Sequence, residues 1–125
     1  MKEALSASLE DYLEAILALV EEHEAAHVKD IAAKLGLTMP SVTGALRSLS
    51  ERKLVNYRPY GAVTLTRRGR EAAENVRRRH KVLKVFIEDI LGLEGEVAQE
   101  NACRIEHAVD QVVLDRLVAY LDSAK

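Results

Sequence analysis

The chain has one cysteine, two prolines and no apolar run approaching the length needed to cross a bilayer. A lone Cys103 excludes an internal disulfide framework. The longest apolar stretch, near Ile16–Val20, is bounded by Asp11, Glu14, Glu21 and Glu22, which argues against a membrane protein. The N-terminus has no basic segment followed by an apolar one, so no secretory signal is expected and the cytoplasm is the expected location. A Gly-rich phosphate loop, a nucleophile elbow and a histidine paired with a convincing nucleophile are all missing, so an enzyme is not expected. A net charge of −2 also denies the chain the overall basic footprint usual in strong nucleic-acid binders.

What is present narrows the field. The 125 residues are 48% hydrophobic and 30% charged, enough for one domain, or a small domain with a helical extension. Charge is unevenly placed. Twelve of the eighteen Lys and Arg residues fall between Arg47 and Lys84, while acids crowd the chain before Asp30 and after Glu88. A locally basic surface can therefore exist on an acidic protein.

Ser8 followed by Asp11 suggests a helix start, and Leu9, Leu13, Ile16 and Val20 recur at helical spacing over 8–23. A short helix is predicted over 27–35, with Val28, Ile31, Ala32 and Leu35 inward and Gly36 terminating it. Thr38 then caps a third helix with Pro40 in its first turn, where a missing N–H costs nothing. Its buried stripe is Val42, Leu46 and Leu49. Residues 54–58 and 62–66 read as strands around the turn Pro59-Tyr60-Gly61. A long helix follows Thr66, with Ala73, Val76, Leu83, Ile87 and Ile90 inward and His80 in the same stripe. Further helices are predicted over 98–109 and 112–121.

Helix, short helix, Gly turn, helix and hairpin is the order of a winged helix-turn-helix. The expected fold is mainly α: a winged helix-turn-helix DNA-binding domain over 1–70, then an all-helical domain over 71–125. Ala32 is small where two helices must cross, and Gly36 permits the left-handed conformation of the turn. The third helix exposes Ser41, Thr43, Gly44 and Arg47 opposite its buried stripe. With Thr38 and Pro40 at its start, it is the candidate reading element, its hydroxyls suited to phosphates and bases and its apolar groups to a thymine methyl. Arg58 and Arg67, with Arg68, flank the hairpin and are candidates for phosphate contacts.

A second constellation concerns metal. Cys103, Glu106 and His107 stand at i, i+3 and i+4, which share one helix face. Thiolate, carboxylate and imidazole together coordinate divalent transition metals. Asp11 and Glu14 stand at i, i+3 and are able to complete the shell, and His80 interrupts an apolar stripe. Each also has a plainer reading: Cys103 as a small buried apolar residue, His80 as a core histidine bonded to backbone, Asp11 and Glu14 as acids favoured near a helix N-terminus. On these residues alone both readings stand.

Nearly the whole chain resembles the metal-dependent repressors typified by the diphtheria toxin repressor and the manganese transport regulator. Ser8-Leu9-Glu10-Asp11-Tyr12-Leu13-Glu14-Ala15-Ile16 is similar to the family's opening helix, Pro40-Ser41-Val42-Thr43 to its recognition-helix start, and Leu65-Thr66-Arg67-Arg68-Gly69 to its wing exit. Arg79-His80 and Ala102-Cys103-Arg104-Ile105-Glu106-His107 resemble its metal-binding segments. The resemblance implies primary ligands at Asp11, Cys103, Glu106 and His107, with Glu14 and His80 matching further ligands of manganese-type members. Asp11 and Glu14 resemble the manganese branch and Cys103 the iron branch. Lys84 and Gln99 stand where the iron branch has an acid and a second histidine, so its ancillary site is not expected here. With the sequence running to Lys125, no C-terminal SH3-like domain is expected, which resembles the two-domain manganese-type architecture.

The resemblance implies a homodimeric repressor of metal homeostasis that binds a pseudo-palindromic double-stranded operator when loaded with Fe(II) or Mn(II). It also implies that 71–125 is the metal-binding and dimerisation domain, and Zn(II) and Co(II) stand as further candidate ions in vitro. The alternative is a metal-independent winged-helix regulator.

Overall fold

The computed structural model describes residues 5–59 and 61–123. The elements run α1 (Ala7–His23), α2 (Val28–Leu35), α3 (Met39–Glu51), β1 (Val55–Tyr57), β2 (Val63–Leu65), α4 (Arg67–Asp89), α5 (Gly95–Glu106) and α6 (Gln111–Ser123). Their contacts divide the chain into two compact units, Met1–Glu74 and Asn75–Lys125, with the division falling inside α4.

In the first unit α1 begins two residues earlier than the Ser8 signal suggests. The cap is Ser6, whose hydroxyl oxygen accepts from the Leu9 amide at 3.1 Å. Two serines lie near this start, and only the one with extended backbone can reach back to a first-turn N–H. The predicted stripe is inward: Leu13 and Ile16 are fully buried, with Leu17 and Tyr12 beside them, while Leu9 and Val20 pack at its edge. Partial burial pushes the Tyr12 phenol above its usual pKa, so it stays neutral.

His27 is the N-cap of α2, not its first residue, and its side chain makes no capping bond. Gly36 ends α2 at φ 66°, the left-handed value that suits glycine. Thr38 caps α3 as expected, accepting from the Ser41 amide at 3.3 Å, with Pro40 in the first turn. Val42, Leu46 and Leu49 are all fully buried and join α1, α2 and the sheet in one core.

The strands are shorter than the 54–58 and 62–66 expected. They pair antiparallel as Val55↔Leu65, Asn56↔Thr64 and Tyr57↔Val63. Tyr60 of the expected turn lies outside the described residues. Val63 also pairs with Ala26 in the link between α1 and α2, each amide donating to the other's carbonyl at 3.0 and 2.7 Å. That bridge anchors the wing to the first helix pair.

The wing hands over to α4 through a tight backbone crossing. The Thr66 amide donates to the Leu54 carbonyl at 3.1 Å, the Thr66 hydroxyl to the Lys53 carbonyl at 2.8 Å, and the Gly69 amide to the Thr66 hydroxyl at 3.0 Å. Gly69 is glycine for a reason of space: a Cβ there would stand 1.7 Å from the Leu54 carbonyl oxygen.

In the second unit Leu83 and Ile87 of α4 meet Ala98 and Ala102 of α5, flanked by Phe86, Val109 and Leu117. Ile90, expected inward, is exposed, because α4 ends at Asp89. Helix α5 starts three residues before the expected 98 and stops at Glu106, so His107 is its C-cap. Helix α6 spans one residue more at its start and two more at its end than the expected 112–121.

Candidate functional site

Two surfaces carry the residues singled out from the sequence. On the first unit, Thr38, Pro40, Ser41, Gly44 and Arg47 are exposed along α3 and Thr43 is half-buried. Their hydroxyls are partly spent on the helix itself. Thr38 Oγ1 donates to Ser41 Oγ at 2.9 Å, and Thr43 Oγ1 donates to the Met39 carbonyl at 3.0 Å. The groove beside α3 has a volume of about 460 Å³ and is lined by Met39, Thr43 and Arg47, by His27 to Lys29 at the start of α2, and by Tyr57, Pro59 and Gly61 of the wing. Met39 is an exposed apolar residue of this groove that the sequence reading passed over. Its only signal was its place one residue before Pro40. Arg58 is exposed just past β1, and Arg67 is exposed at the start of α4, 3.6 Å from Glu71. A surface ion pair of this kind is weak and yields readily to a phosphate.

In the second unit, α5 delivers the metal candidates from its last turn. The Cys103 sulfur, a Glu106 carboxylate oxygen and a His107 ring nitrogen lie within 4.8 Å of one another. Helical spacing does this for Cys103 and Glu106. His107 stays close because its backbone, at φ −85° and ψ −12°, barely departs from the helix. Cys103 is exposed, while Glu106 is 1% exposed. Burying a carboxylate is costly unless it is bonded or charge-compensated. Glu106 Oε1 lies 3.3 Å from His80 Nδ1 and 3.7 Å from His107 Nε2, and the Glu106 carbonyl accepts from Arg79 Nη1 at 3.0 Å. Soft sulfur, hard oxygen and intermediate nitrogen on one small patch suit a divalent transition metal. These donors therefore fit such an ion.

His80 comes to the same patch from α4 but by a different route. Its Nδ1 faces Glu106, and its Nε2 faces Gln99 Oε1 at 3.1 Å. Sequence reasoning noted Gln99 only as a replacement for a histidine and missed its bond to His80. Asp11 and Glu14 lie on α1 in the first unit, three residues apart and both half-buried.

Residues 4–63 match the iron dependent repressor N-terminal DNA binding domain, and residues 66–125 match the iron dependent repressor metal binding and dimerisation domain. The chain belongs to the iron-dependent repressor family. It is 35% identical to an uncharacterised HTH-type transcriptional regulator of Methanocaldococcus jannaschii, over 97% of this chain and 98% of that one. It is 34% identical to the transcriptional regulator MntR of Salmonella typhimurium, over 90% of this chain and 71% of that one. A solved manganese-dependent transcriptional repressor in complex with manganese superposes with a TM-score of 0.83 at 33% identity, covering 91% of this chain. This chain spans about half, 52%, of that solved chain. No described helix is long and apolar enough to cross a membrane.

Proposed function

We propose that this member of the iron-dependent repressor family is a metal-activated, homodimeric transcriptional repressor, with Fe(II) or Mn(II) as its working metal and Zn(II) or Co(II) as ions it accepts in vitro. The carrying observation is the convergence of Cys103, Glu106 and His107 at the end of α5, in a chain whose other unit presents an exposed α3 beside a wing. Asp11 of α1 stands where the family's opening helix supplies a ligand and is the candidate ligand from that helix. Glu14, one turn further along α1, is a further carboxylate candidate. A divalent cation held by Cys103, Glu106 and His107 would supply the positive charge that the buried Glu106 carboxylate needs.

The residues divide the work. Val42, Leu46 and Leu49 seat α3 so that Ser41, Thr43, Gly44 and Arg47 face a major groove, with Thr38 and Pro40 at its edge. Arg58 and Arg67 hold neighbouring phosphates and set register without reading sequence. Two copies of α3 meet two half-sites of a double-stranded operator about one helical turn apart. Dimerisation is supported by apolar side chains left exposed on α5 and α6, among them Val97, Ile105, Val112, Val113 and Tyr120. Of these, Val113 and Tyr120 line one groove with Phe86 and Leu117, a contiguous apolar surface suited to a partner. Such a protein acts in the cytoplasm and does not catalyse a reaction.

Metal shifts DNA binding only as far as it prefers the DNA-competent arrangement. The test is anisotropy of a labelled duplex, recovered by selection from a random library, titrated with protein in Mn(II), Fe(II) or chelator. Tight binding in metal and weak binding in chelator supports the proposal. Equal affinity in all three supports the metal-independent regulator instead.

A further inference from the structure

We infer that Met39 reads a thymine methyl group in the operator, which makes it a specificity-determining residue and commits each half-site to a thymine at the start of α3. The inference rests on the DNA-binding reading above and concerns which chemistry on α3 tells one base from another.

Met39 is the first residue of α3 and is 52% exposed. It stands outside the core that seats the helix, so folding does not account for its apolar character. Thr43 and Arg47 follow one and two steps of four residues later, and all three line the groove beside the wing. This face is short of hydrogen-bond donors. Thr38 Oγ1 gives its proton to Ser41 Oγ, and Thr43 Oγ1 gives its proton to the Met39 carbonyl. A hydroxyl carries one proton, so neither threonine has another for a base. Pro40 and Gly44 have no polar side-chain atom. Of the α3 residues placed at the DNA, Ser41 and Arg47 keep a proton to donate, and Arg47 stands about 12 Å beyond Met39 along the helix axis.

An apolar side chain at the tip of a reading helix needs an apolar counterpart. The major-groove edges of the bases offer one, the C5 methyl of thymine, among groups that otherwise donate or accept hydrogen bonds. Residues at the N-terminal end of a reading helix are those that reach base edges. Methionine suits the contact, because an unbranched and polarizable side chain adapts to the position of the methyl. The surroundings favour DNA over an apolar ligand. Lys29 and Arg47 line the same groove, and cations there complement a phosphate strand while the methyl supplies the sequence information.

The test is anisotropy with the full chain in Mn(II) and the selected duplex, in which deoxyuridine replaces one thymidine at a time. Uracil differs from thymine only by the missing C5 methyl, so base pairing is kept. The wild type should lose affinity about fourfold at one position in each half-site, the weight of one methyl group taken out of water. Met39→Ala should bind the thymine duplex more weakly and lose that sensitivity, while its urea unfolding stays that of the wild type. Met39→Leu should keep part of the sensitivity. Protein and DNA changes together form a double-mutant cycle, whose coupling reports the contact itself. A selected half-site without thymine, or a deoxyuridine penalty equal in wild type and Met39→Ala at every position, would overturn the inference and leave the DNA-binding reading intact. No binding to any selected duplex would overturn both.

Discussion

Gly44→Ala and Gly69→Ala make the same chemical change inside two helices, and they should move stability in opposite directions. Helix propensity favours alanine over glycine by about 1 kcal/mol at either position. At Gly44 a Cβ meets nothing within 4 Å, so the substitution should stabilise by about 0.5–1 kcal/mol. At Gly69 the new Cβ would stand 1.7 Å from the Leu54 oxygen, 2.8 Å from its carbonyl carbon and 3.2 Å from its Cα. All three are backbone atoms, so no rotamer change relieves the overlap. Ordinary contact begins at 3.4 Å, which asks α4 to withdraw by roughly the 1.7 Å difference. Withdrawal breaks the bonds from Thr66 to the Leu54 and Lys53 carbonyls. Overpacking costs about 1–3 kcal/mol and the two hydrogen bonds about 1 kcal/mol each, against a propensity gain of about 1, leaving about 2–4 kcal/mol of destabilisation. For a chain of this length that lowers Tm by about 8–16 °C. Urea unfolding and thermal melts followed by circular dichroism, both in chelator so that metal binding does not add stability, provide the assay. A Gly69→Ala protein as stable as the wild type would refute the argument from space and leave propensity in charge.

Four further outcomes are expected. Leu46→Ala empties a fully buried position under the reading helix and should cost about 2–5 kcal/mol by urea titration; a cost below about 1 would mean that α3 is not seated by this stripe. Arg47→Ala and Arg58→Ala should each lower the slope of log affinity against log salt by about 1, and an unchanged slope removes that residue from the phosphate contacts. Glu106→Gln should weaken Mn(II) binding at least about tenfold by calorimetry while the circular dichroism spectrum stays that of the wild type; undiminished binding would take Glu106 out of the site. Cys103→Glu replaces a soft donor with a hard one and should shift the DNA-binding response toward Mn(II), whereas no shift would mean that the Cys103 sulfur is not a ligand.

The parts legible in the sequence were those where one residue type has one physical use. Gly36 at a left-handed turn, Thr38 before Pro40, and the Val42-Leu46-Leu49 stripe each admit a single local answer, and α2, the turn and α3 stand where they were expected. Cys103 and Glu106 share a face by helical spacing, and His107 stays beside them because its backbone barely leaves the helix. What escaped depends on partners distant in the chain. Ser6 and Ser8 look alike until the backbone decides which faces the Leu9 amide. Ala26 carries no strand signal, yet Val63 recruits it across the α1–α2 link. Gly69 reads as a helix weakness until Leu54 is seen against it. His80 stood out as a polar residue in an apolar stripe, but its clasp by Gln99 and Glu106 comes from two positions, 19 and 26 residues on, that no local pattern connects to it.

The central claim is that one metal site governs whether α3 engages DNA. Its most direct test is a closed cycle: DNA affinity measured with and without Mn(II), and Mn(II) affinity measured with and without the selected duplex. Coupling of this kind is reciprocal, so both ratios must be the same factor, and about 5- to 150-fold is the ordinary range for linked sites. The account predicts matching ratios in that range, collapsing to one in Glu106→Gln. A wild-type ratio of one on both arms, with metal and DNA each bound tightly, would contradict it.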